Sequence, residues 1–202
     1  MYRAVLLDLG KTIIDFDFGR AFARLAVACP YPPDGIAQRV MGSGLVQRFE
    51  TGSIDGPELF RGLSEILRLS LDYDAFVDAW NCIFSDILIP ASVLEGLAAR
   101  YRLLLISNTN ALHFEMLRRE QPFLRHFAEL VLSHEAHSAK PDPAIYREAI
   151  KRLGCPPSEC FYADDIPAFV DAGRALGLDA AVFRGFAQFQ RDLAARGIDW
   201  RK

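Results

Sequence analysis

The 202-residue chain lacks the features that mark a membrane protein, a disulfide scaffold or a nucleic-acid-binding protein. No apolar run approaches the roughly 20 residues needed to cross a bilayer, and Asp8 cuts short the apolar N-terminal run, which argues against a signal peptide. Lys and Arg total 23 against 26 Asp and Glu, for a formal net charge of −3. No basic surface for nucleic acid or anionic lipid is therefore expected.

Cysteine is also scarce. The four cysteines form no CxxC pair and have no histidine nearby at ligand spacing. This pattern favours buried thiols in a reducing compartment. We therefore expect a cytoplasmic protein that binds neither nucleic acid nor a membrane, and the sequence carries no sign of its oligomeric state.

Short apolar runs alternate with helical patterns along much of the chain. Near-continuous apolar runs of strand length, typical of strands covered on both faces, occupy residues 4–7, 103–106, 129–133, 160–163 and 180–183. Helical periodicity marks residues 111–120, 143–153 and 167–176; Pro stands near the start of the second, and Gly follows the second and the third. The alternation predicts an α/β fold with a Rossmann-like parallel sheet and right-handed crossovers.

Residues 16–88 differ from the rest of the chain. They show helical periodicity interrupted by proline- and glycine-rich segments, and no convincing buried strand. We interpret this stretch as a small helical cap inserted after the first strand, which could cover a site and exclude water. The hydrolase-like core would then comprise residues 1–15 and 89–202.

Polar residues end three of the predicted strands: Asp8, the pair Ser107 and Asn108, and the pair Asp164 and Asp165. Because ligands bind at the carboxyl ends of parallel strands, these side chains are expected to converge. Converging carboxylates repel one another unless a cation compensates them. Oxygen ligands suit Mg²⁺, so a magnesium site is one reading; helix caps or solvated loop carboxylates are the alternative.

Lys140 precedes a predicted helix at a proline-rich junction. Beside a carboxylate cluster it could balance charge and hold an anionic phosphoryl oxygen. The alternative is an ordinary solvent-exposed lysine. In the same way, Ser107 and Asn108 could bind phosphate oxygens or merely form a turn after their strand.

Four segments together resemble the motifs of the haloacid dehalogenase-like hydrolase superfamily. They read LDLGKT at residues 7–12, ISNT at 106–109, KPDP at 140–143 and FYADD at 161–165. Their order and spacing, and the helical insertion after the first motif, match that family over essentially the whole chain. Within it, Gly10 and the paired Asp164 and Asp165 are most similar to sugar-phosphate phosphatases of the α-glucose-1-phosphate phosphatase type.

The resemblance implies a Mg²⁺-dependent phosphatase acting on a small phosphorylated metabolite, in particular a sugar phosphate. Asp8 would be the nucleophile that forms an aspartyl-phosphate, and Ser107 and Lys140 would hold the phosphoryl oxygens. The implied magnesium ligands are Asp8, the backbone carbonyl of Gly10, Asp164 and Asp165.

One position departs from the family pattern. Gly10 stands where these phosphatases usually carry a second Asp as general acid and base, a role typically worth about 10²- to 10⁴-fold in rate. A good leaving group, a metal-ordered water, or a carboxylate of Asp15, Asp17 or Glu50 could replace it; we favour the first two. Ala168 and Phe169 also stand where related proteins often have a further carboxylate.

Two other functions remain open at this point. A metal-free 2-haloacid dehalogenase would also lack the second Asp, although the Asp164–Asp165 pair would repel its anionic substrate. A catalytically silent protein that binds phosphate or a partner is supported only by Gly10. The four histidines show no catalytic spacing, and we expect them at surface or capping positions.

Overall fold

A five-stranded parallel sheet lies at the centre of the computed structural model, which describes residues 1–201. The strands are β1 (Ala4–Leu7), β2 (Ile14–Phe16), β3 (Phe84–Ile87), β4 (Arg102–Ser107), β5 (Glu129–Leu132), β6 (Cys160–Asp164) and β7 (Asp179–Val182). The sheet has the order β5-β4-β1-β6-β7, and β2 and β3 pair separately as an antiparallel ribbon. The predicted α/β fold is confirmed.

The α-helices among the described residues are α1 (Phe18–Leu25), α2 (Pro33–Gly42), α3 (Leu45–Glu50), α4 (Gly56–Leu67), α5 (Tyr73–Asn81), α6 (Ala91–Ala98), α7 (Ala111–Glu120), α8 (Ser133–Ala136), α9 (Pro143–Arg152), α10 (Pro167–Ala175) and α11 (Phe186–Ala195). Short 3₁₀ turns occupy Ala26–Ala28, Pro122–His126 and Pro157–Glu159. Within residues 1–201, none of these helices has both the length and the apolar character that crossing a bilayer requires.

Both faces of the sheet are covered by helices, which explains why its strands read as continuous apolar runs. Side chains alternate along β1, so that Val5 and Leu7 pack on one face and Ala4 and Leu6 on the other. Helices α6, α7 and α11 contribute to the first core, and α9 and α10 contribute to the second. All four β1 side chains are fully buried.

Helices α1 to α5 enclose a separate apolar core centred on Phe49, Phe76 and Trp80. Local signals in the sequence set the helix ends. In α4, for example, Asp55 accepts the Glu58 backbone N–H at 2.8 Å, while the Glu58 carboxylate accepts the Asp55 N–H at 2.9 Å. This reciprocal pair satisfies two otherwise free helix N–H groups.

The antiparallel ribbon lies where the chain enters and leaves this helical unit. Neither of its strands is evident from the sequence, because β2 is only three residues long and the side chains of β3 are partly or fully exposed. Short or exposed strands leave no apolar run to detect. The proposed domain limits at residues 15/16 and 88/89 fall at this ribbon and stay a prediction.

His113 connects the helical unit, α1 to α5, with the unit built on the five-stranded sheet. It lies on α7, yet its ring stacks on Trp80 of α5 with 5.7 Å between ring centroids. Its Nε2–H donates to the Trp80 carbonyl at 3.1 Å, and its Nδ1 accepts from the Asn110 amide at 2.9 Å. A neutral imidazole satisfies both partners. The residue is buried, so the expected surface or capping position is wrong for His113.

Gly52 marks a second close approach between the units. It follows α3 with a φ of +66°, and a Cβ at this position would lie 2.1 Å from the carbonyl oxygen of His134. The adjacent Thr51 carbonyl accepts a hydrogen bond from Nδ1 of His137 at 3.1 Å. The loop after α3 is thus held against α8.

We expect Gly52→Ala to lower the free energy of unfolding more than Gly44→Ala. Both glycines have positive φ, which costs an L-residue roughly 1–2 kcal/mol. A Cβ at Gly44 meets nothing within 4 Å, whereas one at Gly52 meets backbone. The backbone shift forced by Gly52→Ala should add about 1–3 kcal/mol to the loss in free energy of unfolding, as measured by urea denaturation. Equal losses for the two variants would contradict the close approach.

Acidification should destabilise the protein through His113. Burial lowers the pKa of His113 to about 4 from 6.5, so the unfolded chain takes up this proton first as pH falls. The stabilisation is complete above pH 6.5 and is lost progressively towards pH 4, amounting to about 3 kcal/mol. When denaturation curves are recorded across this pH range, the free energy of unfolding of His113→Gln should not show this loss. The same dependence of that free energy on pH in His113→Gln and in the parent protein would rule out the assignment.

Candidate active site

The carboxyl ends of three neighbouring strands bring the predicted site residues to one edge of the sheet. Asp8 directly follows β1, Ser107 ends β4 and Asp164 ends β6, and β1 lies between the other two. Each side chain is buried, with 6%, 2% and 0% of its residue surface exposed. The parallel register of adjacent strands therefore places polar groups from distant parts of the sequence side by side.

Lys140 is the cation at the centre of this edge. Its Nζ donates to Oδ1 of Asp8 at 2.5 Å, to Oδ2 of Asp164 at 2.6 Å and to the Ile106 carbonyl at 3.3 Å. The ring of Phe169 lies 5.2 Å from the same Nζ. Burial alone would lower the pKa of Lys140, but the two carboxylates outweigh it and raise the pKa. Because Lys140 is buried, the alternative of an ordinary solvent-exposed lysine is wrong.

Asn108 fixes the backbone that carries this lysine. Its Oδ1 accepts the Lys140 backbone N–H at 2.7 Å, and its Nδ2 donates to the Lys140 carbonyl at 2.9 Å. These two bonds tie the end of β4 to the loop before α9. One N–H of the amide is left over, so the contact of Asn108 with a phosphate oxygen stays a prediction.

Asp8, Asp164 and Asp165 each offer a carboxylate oxygen within 4.8 Å of the others. Asp164 is heavily engaged, because it also accepts from the Tyr162 hydroxyl at 2.6 Å and from the Ile166 N–H at 2.9 Å. Asp165 is only partly buried and accepts no side-chain or backbone hydrogen bond from another residue in 1–201. It is the carboxylate most available to a new ligand.

The electrostatics of the cluster are unbalanced towards negative charge. Burial raises the pKa of Asp8 against the opposing effect of Lys140, and Asp164 raises it further. Burial and the neighbouring Asp164 likewise raise the pKa of Asp165. One lysine thus does not compensate three carboxylates, and the oxygen-rich donor set fits a hard divalent cation.

Gly10, two residues after Asp8, is backed by an aromatic ring. A Cβ at this position would lie 2.6 Å from Cε1 of Phe16. The ring therefore occupies the space that an aspartate side chain would need. The role of the Gly10 carbonyl as a metal ligand stays a prediction.

A cleft beside the cluster separates the sheet edge from the helical unit. It measures about 370 Å³ when the part open to solvent is included. Its walls comprise Leu9, Gly10, Phe16, Phe18, Glu50, Ile83, Phe84, Ser107, Asn108, Thr109 and His113. Among these described residues, Glu50 is the one that carries a carboxylate.

Several site residues were not identified from the sequence. Tyr162 lies two residues before Asp164 on the same strand, and this period-2 spacing is a signal that could have placed its hydroxyl beside the carboxylate. Phe16 and His113 reach the cleft only through the packing of the helical unit against the sheet, for which no local pattern exists.

Comparison with characterised proteins adds independent information. A model of the haloacid dehalogenase-like hydrolase family matches residues 2–177. The chain is 27% identical over 212 residues to D-ribitol-5-phosphate phosphatase from Bacteroides thetaiotaomicron, covering 100% of this chain and 96% of that protein. It is also 33% identical over 64 residues to flavin mononucleotide hydrolase 1 from Arabidopsis thaliana, covering 32% of this chain and 26% of that protein.

Solved structures share the fold. A HAD-like family hydrolase from Porphyromonas gingivalis superposes with a TM-score of 0.85 at 23% identity, covering 98% of this chain and 99% of the other. A HAD family enzyme from Bacteroides thetaiotaomicron, in complex with magnesium and inorganic phosphate, has a TM-score of 0.81 at 24% identity, covering 90% and 94%. With the family model spanning most of its length, this chain belongs to the haloacid dehalogenase-like hydrolase family.

Proposed function

We propose that this hydrolase is a Mg²⁺-dependent phosphatase that cleaves small sugar or polyol phosphates through an aspartyl-phosphate on Asp8. One observation carries the proposal: a buried aspartate, fixed by a buried lysine, lies beside two further carboxylates at the end of the sheet. A nucleophilic carboxylate, a cation and a metal-binding donor set are what phosphoryl transfer requires.

The residues around Asp8 have complementary tasks in this proposal. The Asp8 carboxylate attacks phosphorus, and Lys140 holds it in a fixed orientation through a 2.5 Å ion pair. Ser107 lines the cleft, and its hydroxyl would bind a phosphoryl oxygen. Positioning and charge neutralisation must do most of the work, because a carboxylate is a weak nucleophile.

The donor set fits Mg²⁺. Asp8, Asp164, Asp165 and the carbonyl of Gly10 would hold it, with Asp165 the least engaged by protein hydrogen bonds. When bound, the ion supplies positive charge that offsets the three carboxylates and the phosphate oxygens. Asn108 contributes indirectly, since it fixes the backbone of Lys140.

The substrate class rests on two observations. D-ribitol-5-phosphate phosphatase aligns with the chain over its whole length. The cleft is small and combines aromatic walls with Glu50, Ser107 and Asn108, which suits a compact, hydroxyl-bearing phosphate ester. Cleavage of such a polyol phosphate releases a primary alcohol.

The two alternative functions are less well supported. A 2-haloacid would bring its own carboxylate to a cluster in which burial and charge already raise the pKa of Asp8 and Asp165. A silent binding protein would have no need of a nucleophile that is buried and held by a lysine.

Asp8→Asn should abolish Mg²⁺-dependent phosphate release from sugar and polyol phosphates, with a loss of about 10³-fold or more because the nucleophile is removed. Release is measured over a panel that includes ribitol 5-phosphate and hexose 1-phosphates. Asp171→Asn, at an exposed position on α10, is the matched control and should match the parent protein. Activity retained in Asp8→Asn, or halide release from 2-chloropropionate in EDTA, would refute the proposed reaction.

Asp165→Asn should separate metal binding from folding. Mg²⁺ at 100 times its dissociation constant stabilises a folded protein by about 2.7 kcal/mol, which appears as a higher Tm. The variant should lose this rise, yet its Tm in EDTA should be no lower than that of the parent, because one of three repelling carboxylates is neutral. An unchanged Mg²⁺ response would show that the ion does not bind at this cluster.

A further inference from the structure

The release of an alcohol leaves one requirement of the proposed function unmet. An alkoxide is a poor leaving group unless a proton reaches its oxygen as the bond to phosphorus breaks. Gly10 has no side chain to supply that proton. A Cβ at this position would lie 2.6 Å from Cε1 of Phe16, so the ring would have to shift before a longer side chain could fit there.

The two aspartates nearest in sequence are engaged elsewhere. Asp15 forms an ion pair with Lys11 at 2.6 Å and accepts the Phe16 backbone N–H at 2.8 Å. Asp17 is exposed and caps α1 by accepting the Gly19 N–H at 2.8 Å. Neither belongs to the cleft wall.

Glu50 has the opposite character. It is the last residue of α3, and its side chain lines the same cleft as Gly10 and Ser107. Within residues 1–201 it forms no ion pair and accepts no hydrogen bond, although it is partly buried. Asp15 and Asp17, by contrast, both accept hydrogen bonds from backbone N–H groups.

The surroundings of Glu50 also favour its acid form. Burial raises the pKa of Glu50 above its ordinary value, and no cation opposes the shift. The docking of the α3 loop on α8, where Gly52 approaches the His134 carbonyl, holds this end of the helix against the core. Glu50 is therefore held at the cleft wall by the helical unit.

We propose that Glu50 is the general acid and base of this enzyme and replaces the aspartate that is missing at Gly10. This rests on the proposed phosphatase function. It differs from our first expectation, which favoured an unaided leaving group or a metal-ordered water.

The two half-reactions balance as follows. An Asp8 oxygen bonds to phosphorus while the bond from phosphorus to the ester oxygen breaks, and the Glu50 proton moves to that oxygen to give the free alcohol. The Glu50 carboxylate then takes a proton from a water molecule whose oxygen bonds to phosphorus. The bond from phosphorus to Asp8 breaks, which releases inorganic phosphate and restores the Asp8 carboxylate and the Glu50 acid.

A carboxylate in this place could instead accept hydrogen bonds from substrate hydroxyls. The two roles differ in what they make the rate depend on. Proton donation matters more as the leaving group becomes a stronger base, whereas hydroxyl recognition matters only when hydroxyls are present. Aryl and benzyl phosphates carry no free hydroxyl and vary the leaving group alone.

The test compares kcat/KM of the parent protein, Glu50→Gln and Glu65→Gln with p-nitrophenyl, phenyl and benzyl phosphate in the presence of Mg²⁺. Glu65 is an exposed glutamate on α4 of the same helical unit and provides the matched control. Glu50→Gln keeps the shape of the side chain, and its folding is checked by Tm. Ribitol 5-phosphate serves as the hydroxyl-bearing substrate.

Glu50→Gln should lose little with p-nitrophenyl phosphate, more with phenyl phosphate and about 10²-fold or more with benzyl phosphate. Glu65→Gln should match the parent throughout. A loss that is equal for all three esters, confined to ribitol 5-phosphate, or absent would overturn the role of Glu50 while leaving the phosphatase intact. Failure of the parent protein on every ester would overturn the phosphatase proposal itself, and with it this one.

Discussion

The ammonium group of Lys140, shared between Asp8 and Asp164, is the interaction on which the site depends. It joins the ends of β1 and β6 to the loop before α9 and offsets two buried charges. An unpaired charge in such a place would cost several kcal/mol. Asn108, which follows β4, extends the same constraint to that strand, because its side-chain amide bonds both the backbone N–H and the carbonyl of Lys140.

This arrangement leaves the site two positive charges short, which one divalent cation would supply. Three carboxylates share one lysine, and burial with like charge raises the pKa of Asp8 and Asp165. A protein that only needed stability would gain by replacing one of these acids with a neutral residue. This excess of negative charge is the feature of the site that supports the proposed metal-dependent reaction.

In the proposed reaction the helical unit supplies a catalytic group and does not only cover the site. It places Glu50 at the cleft wall, and Phe18 of α1 packs edge-on against the Phe16 ring that lies behind Gly10. Its position is fixed by two contacts of different kinds, the neutral His113 stacked on Trp80 and the glycine contact after α3. A carboxyl group carried on a separate unit meets the substrate only when that unit is docked.

The sequence by itself determined the α/β fold, since buried parallel strands read as apolar runs that alternate with helical patterns, and three of these runs end in polar residues. It also indicated which polar residues meet, because parallel strands end at the same edge. It did not indicate the β2–β3 ribbon or the burial of His113, and it offered Glu50 only as one of several possible acids without placing it at the cleft. Those depend on how the helical unit packs against the sheet, through contacts between residues far apart in the chain, and no local periodicity encodes such contacts.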